Sequence, residues 1–97
     1  MTENHAQEYA ETVGKRIENE ERTVNDILEE ALDIKIIRDI SGHYIGAEIA
    51  VTLGGPNAHI NTRTKSLEVH WGNQKGYWAL PCNVIEELDT TLEEVSH

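Results

Sequence analysis

His59 and His70 as cross-strand neighbours, with Glu68 or Glu48 nearby, are the residues whose types could hold a divalent metal, since imidazole and carboxylate are both common ligands. The spacing His59-x10-His70 matches no metal motif, and both residues fall on strands whose open face encloses no set of ligands. His5, His43 and His97 lie in termini or turns and add no third ligand. Cys82 stands just before a helical segment, where a helix N-terminus can lower a thiol pKa, and His70 is the candidate base for it. Nothing in the sequence fixes the geometry of that pair, and a small hydrophobe at a helix entrance is the simpler reading. Gly54-Gly55 would need to open a helix to cradle a phosphate, but they lead through Pro56-Asn57 into a strand. They read instead as a turn that uses positive φ. The carboxylates sit mostly on solvated helical faces, where nothing prepares them for acid–base catalysis. The sequence therefore leads us to expect no catalytic residue, no metal, no cofactor and no enzyme activity.

The elements that would position these residues follow from hydrophobic period. Ala6, Tyr9, Ala10, Val13 and Ile17, then Val24, Ile27, Leu28, Ala31 and Leu32, recur at three- and four-residue spacing and predict helix. Glu18 to Arg22 carries no apolar residue, and Thr23 with Asp26 is a helix-start signal, so two helices meeting near Arg22 are expected. Val84, Ile85, Leu88, Leu92 and Val95 form the stripe of a further helix, with Asn83 as its cap and Glu86 completing the box. Between them Ile45, Ala47, Ile49, Val51 and Leu53 alternate with polar or small residues, a strand with one buried face. Turn residues recur at Ser41-Gly42, Gly54–Asn57, Thr64-Lys65 and Gly72–Gly76. One domain over residues 1–97 results, an α+β fold with an antiparallel meander of about five strands and helices packed on one face. Residues 1–4 are expected to be disordered, 5–33 helical, 34–80 sheet and 83–95 helix.

Loop lengths then predict a register. A four-residue loop at Gly54–Asn57 pairs Val51 with Ile60 and Glu48 with Arg63, the latter as a cross-strand ion pair. A two-residue loop at Thr64-Lys65 pairs Val69 with Ile60 and His70 with His59. A five-residue loop at Gly72–Gly76 pairs Tyr77 with Trp71 and Trp78 with His70. Ile49, Val51, Leu53, Ile60, Leu67, Val69, Trp71 and Tyr77 then share an apolar face, since a slip of one residue would exchange the faces. The opposite, open face shows Tyr44, Glu48, His59, Asn61, Arg63, Glu68, His70 and Trp78.

Charge divides the chain along the same boundaries. The formal charge is -10, from eighteen acidic and eight basic residues among 97. Met1–Asp33 holds ten acids and three bases, Ile34–Leu80 three acids and five bases, and Pro81–His97 five acids and no base. A pI near 4.8 argues against direct nucleic-acid binding, which needs clustered Lys and Arg. No run of about eighteen apolar residues is present to span a bilayer. The polar, acidic start MTENHAQEYAETVGK has neither signal-peptide nor transit-peptide character. A single cysteine permits no internal disulfide and agrees with a cytoplasmic setting.

The segment Gly54-Gly55-Pro56-Asn57-Ala58-His59-Ile60-Asn61-Thr62-Arg63, followed by Glu68-Val69-His70-Trp71-Gly72, resembles short acidic proteins encoded by phages, prophages and conjugative elements. Leu32-Asp33-Ile34 and the closing helix Val84 to Val95 extend the resemblance over roughly residues 30 to 95. The chain departs from that group at His70 and at the loop Gly72-Asn73-Gln74-Lys75-Gly76, where Gly-rich residues are usual. The resemblance implies an inhibitory protein of the anti-CRISPR kind, acting in the host cytoplasm on a basic nucleic-acid-binding complex, with no membrane partner. Its acidic helices would mimic nucleic acid through Glu18, Glu20, Glu21, Glu29, Glu30, Glu86, Glu87, Asp89, Glu93 and Glu94. The alternative is a regulatory or assembly module that binds a protein through Tyr44, Arg63, His70 and Trp78 on the open sheet face; an edge strand, Ile34–Ile40 or Tyr77–Leu80, could also pair with a partner or with a second copy.

Overall fold

The structure is a computed structural model that describes residues 4–53 and 56–95. Helix α1 (His5–Glu18) is capped by the Asn4 side chain, which accepts the Gln7 N–H at 3.1 Å. It buries Ala6, Ala10, Val13, Gly14 and Ile17. The small residues of that stripe let its backbone approach the sheet closely. Helix α2 (Val24–Glu30) opens on a complete capping box: Thr23 Oγ1 accepts the Asp26 N–H, and the Asp26 carboxylate accepts the Thr23 N–H. Helix α3 (Cys82–Val95) buries Ile85, Leu88 and Leu92.

Strands β1 (Asp33–Arg38), β2 (Tyr44–Thr52), β3 (Asn57–Asn61), β4 (Ser66–Trp71) and β5 (Gln74–Ala79) form one antiparallel sheet in the order β1-β2-β3-β4-β5. This is the expected meander and α+β class. Helix α1 packs on β4 and β5, while α2 and α3 pack toward β2 and each other. One core joins all three helices to Ile49, Ile60, Leu67 and Val69. Each of those four sheet residues is inaccessible to solvent, and complete burial of such a side chain stabilises by about 1.5–3 kcal/mol.

The register differs from the expectation in an instructive way. Ile49 pairs with Ile60, and Ile60 with Leu67, each two residues from the predicted alignment. A shift of two keeps every side chain on its face, so the core survives. The β3–β4 loop takes four residues between Asn61 and Ser66, because Asn61 Oδ1 accepts the N–H groups of Arg63 and Thr64 in an Asx turn. Glu48 therefore faces Asn61, and the Arg63 side chain lies over Gly46, so the Glu48–Arg63 ion pair does not form. His59 faces Glu68 and His70 faces Asn57, which separates the two histidines that were expected to pair.

At β4–β5 the shift is three residues, and the faces exchange. The hairpin turns on Gly72-Asn73 alone, with Gly72 at φ +62° in the first central position of a two-residue loop. Trp78 consequently lies opposite Leu67 on the helix-covered face, and Tyr77 opposite Glu68 on the open one, 51% exposed. Gly76, a turn residue by its sequence context, belongs to β5. A Cβ there would run into the Ala6 backbone, so this glycine permits the close approach of α1.

Tyr44 also leaves the open face. The ladder passes from Ile37–Gly46 directly to Arg38–Tyr44, which leaves Ile45 as the extra residue of a bulge. The bulge turns Tyr44 toward α3 and exposes Ile45. A second irregularity beside Val51 leaves Leu53 exposed instead of buried, and Trp71 is likewise 40% exposed at the sheet end, edge-on to Tyr9.

Three boundaries also change. Helix α2 ends at Glu30, so Ala31 and Leu32, expected on its stripe, lie outside the helix, and Asp33 already belongs to β1. Helix α3 begins at Cys82, with the Pro81 carbonyl accepting from Val84 and Ile85, so Asn83 lies inside the helix and does not cap it. Asn4, expected to be disordered, caps α1 and donates through Nδ2 to the Lys75 carbonyl at 3.0 Å. The rest of that expected segment, residues 1–3, together with the Gly54-Gly55 turn and His97, lies outside the described residues.

Candidate functional site

The helical layer collects the charge. Residues 4–31 and 82–95 carry thirteen acids against three bases, whereas residues 32–81 carry four acids against five bases. Because all three helices lie on one face of the sheet, the sequence asymmetry becomes a two-sided molecule, anionic on the helices and near neutral on the open face.

Local structure fixes where the acids stand. Helix α1 ends at Asn19, and Glu20 takes the left-handed conformation at φ +61°. The N–H groups of Glu21 and Arg22 then bond back to the Arg16 carbonyl, folding the connection tightly against α1. This brings Glu20 to a polar cleft of about 260 Å³ shared with Asn25 at the start of α2 and with Asn83 and Glu87 of α3. Arg22 lines the same cleft. Its Nη2 donates to Glu30 Oε2 at 2.7 Å, and its Nε is buried without a partner.

Among the candidate acids, Glu18, Glu30 and Asp89 are engaged within the fold. Glu30 holds Arg22. Glu18 Oε1 accepts the Trp78 indole N–H at 2.7 Å, with Lys15 Nζ lying 5.8 Å from the centre of the Trp78 ring. Asp89 Oδ1 accepts the Tyr44 hydroxyl at 2.6 Å. Burial, together with that carboxylate, drives the Tyr44 phenol well above its ordinary pKa. Glu20, Glu21, Glu29, Glu86, Glu87, Glu93 and Glu94 are exposed. Asp26, which the sequence placed only as a capping partner, is held below the usual carboxylate range by the Thr23 N–H and hydroxyl.

The alternative set does not assemble. Tyr44 and Trp78 face the helices, while Arg63 and His70 are exposed on the sheet side. The open face carries Lys35, Glu48, His59 and Glu68, with no coherent sign. Among the described residues, no three His, Cys, Asp or Glu side chains come together as a metal site. Cys82 is an exposed thiol at the first residue of α3, and His70 lies in β4 opposite Asn57 and Lys75.

Sequence reasoning missed Arg22 as a member of the cleft. The available signal was a lone base between two acidic runs, next to the capping Thr23. It also missed Gln7, whose amide clasps β5: Nε2 donates to the Tyr77 carbonyl, and Oε1 accepts the Tyr77 N–H, both at 3.0 Å. No helix among the described residues is long and apolar enough to cross a membrane. No protein-family model, curated protein or solved structure matches the chain.

Proposed function

We propose that this is a small acidic inhibitory binding protein of a mobile genetic element, which blocks a host nucleic-acid-handling defence complex in the manner of an anti-CRISPR protein. The observation that carries this reading is the one-sidedness of the charge: thirteen acids and three bases on the helical layer, above a nearly balanced sheet. A basic groove that binds phosphates would attract that face from a distance and orient it on approach. The contact set is Glu20, Glu21, Glu29, Glu86, Glu87 and Glu94, with Glu93 beside them; Glu18, Glu30 and Asp89 hold the scaffold. The reading is of a protein that acts by occupancy and not by catalysis, and it places the protein in the host cytoplasm.

The test is capture from host lysate at low and high salt, followed by competition with the captured complex's own nucleic acid. A basic nucleic-acid-handling complex should be retained at low salt and released as the screening length falls from about 8 Å toward about 3 Å. Glu20→Lys, Glu21→Lys, Glu86→Lys and Glu87→Lys together should abolish capture, while Arg63→Ala with His70→Ala should leave it intact. Capture that survives the charge reversal but fails with the sheet variants would overturn the proposal in favour of a module binding through the open face.

A further inference from the structure

The two edges of the sheet are treated differently. Along β5, α1 occupies the edge. Gln7 bonds both backbone groups of Tyr77, Asn4 takes the Lys75 carbonyl, and the His5 N–H donates to Gln74 Oε1 at 2.9 Å. Such cover removes a template for strand addition. Among the described residues no helix covers strand β1 in this way, and its substantial packing is with β2.

The hydrogen-bond pattern shows which groups β1 offers. Both backbone groups of Ala47 address β3, through the Thr62 N–H and Thr62 Oγ1. Gly46, Glu48 and Ala50 therefore address β1, where they face Ile37, Lys35 and Asp33. Alternation in an antiparallel ladder turns the N–H and C=O of Ile34 and Ile36 outward. Eight large apolar side chains are exposed among the described residues; three of them, Leu32, Ile34 and Ile40, lie on β1 or the chain flanking it, Ile45 lies in β2 and Leu53 just after it. The edge itself is balanced in charge, with Asp33, Lys35, Arg38 and Asp39, on a chain whose formal charge is -10. Repulsion between two copies is thus weaker here than across the acidic helical layer.

We propose that β1 pairs with β1 of a second copy across a two-fold axis, with Ile37 opposite Ile37, to make one ten-stranded antiparallel sheet. Charge selects the register. Continuity of the faces requires partners of like parity, which leaves three central alignments. Centring on Lys35 sets lysine against lysine, and centring on Ile36 sets Asp33 against Asp39. Centring on Ile37 sets Lys35 against Asp39 twice and opposes no like charges. The Asp39 carboxylate also holds its own turn, accepting the N–H groups of Ser41 and His43. Because α1 blocks β5, growth stops at two copies, a closed isologous dimer. This inference stands apart from the helical face and from any host partner.

Sedimentation velocity of the full chain between about 1 µM and about 1 mM, in about 0.5 M salt to screen the net charge, should resolve a monomer–dimer equilibrium. Ile37→Lys should leave a monomer with an unchanged unfolding transition, and Lys35→Glu should raise the dissociation constant about tenfold. The register is read with Cys82→Ser as background. Non-hydrogen-bonded partners have Cα atoms about 4.5 Å apart, so Ile37→Cys should oxidise to a disulfide-linked dimer, while Ile34→Cys should not. A monomer across the whole range, failure of Ile37→Cys to cross-link, or equal cross-linking by Ile34→Cys would each overturn the proposal.

Discussion

Replacing Gly14 by alanine should destabilise the protein, although alanine is the better helix former. In a solvated helix the exchange favours alanine by about 1 kcal/mol. At Gly14 the added Cβ would fall inside the contact distance of Trp78 Cδ1 and Cγ, and 2.7 Å from Nε1. Carbon and nitrogen need about 3.5 Å, so the indole must move by about 1 Å. It has little room, because it packs above fully buried Leu67 and is tied to Glu18 at 2.7 Å. Overpacking of this kind costs about 1–3 kcal/mol, and losing the indole hydrogen bond adds about 1 kcal/mol. With the propensity gain subtracted, Gly14→Ala should lose about 2 kcal/mol. In a Trp78→Ala background the obstruction is gone, and the same Gly14→Ala should stabilise by about 0.5–1 kcal/mol. Urea unfolding monitored by circular dichroism would complete the cycle without depending on the removed fluorophore. The reasoning is refuted if Gly14→Ala is neutral or stabilising with Trp78 present, or if its sign does not change between backgrounds.

Tyr44→Phe should cost about 1 kcal/mol near neutral pH, through loss of the bond to Asp89 at a partly solvated site. Since the folded state raises the Tyr44 pKa, its stabilisation holds below the ordinary value of about 10 and is lost as pH climbs beyond it. The wild type should therefore lose stability in alkali more steeply than Tyr44→Phe, as seen by denaturation at stepped pH. Thr23→Ala should cost about 1 kcal/mol, because the capping box of α2 loses its hydroxyl. The Asp26 pKa is depressed in the folded state, so its contribution exists above the ordinary carboxylate value and fades as pH falls through the folded one. The wild type should therefore lose stability more steeply on acidification than Asp26→Asn, and the difference between the two should vanish at low pH, as denaturation at stepped pH would show. Gln7→Ala should uncover the Tyr77 edge and yield species larger than a dimer at high concentration in light scattering.

What the sequence disclosed was set by how locally each feature is determined. The stripes of α1 and α3 and the Thr23–Asp26 box lie within a few residues, and the structure has them where the spacing puts them, except that Val95 at the end of α3 is exposed. The core row Ile49–Ile60–Leu67 survived a misaligned register because an error of two leaves strand parity intact. Trp78 and Tyr44 were misplaced by features that spacing does not encode. Gly76 resembles a turn residue in any local window, and only the distant Ala6 backbone explains it. Ile45 continues a clean alternation in sequence, yet it is the residue that the ladder skips. For the candidate surface, the clustering of acids could be read from the chain. Their division into outward groups and groups bonded to Trp78, Tyr44 and Arg22 depends on tertiary partners far away in sequence.

The clasp of α1 on β5 has a kinetic corollary. Asn4, His5 and Gln7 bind residues 69 to 71 positions later in the chain, so α1 cannot dock until the hairpin of β4 and β5 exists. Its burial requires closure of most of the chain, which is slow compared with local helix formation. Amides of α1 should therefore gain hydrogen-exchange protection after those of β3 and β4. The helix that shields one sheet edge in the finished molecule is absent from it early on, when the nascent sheet exposes both flanks to its neighbours.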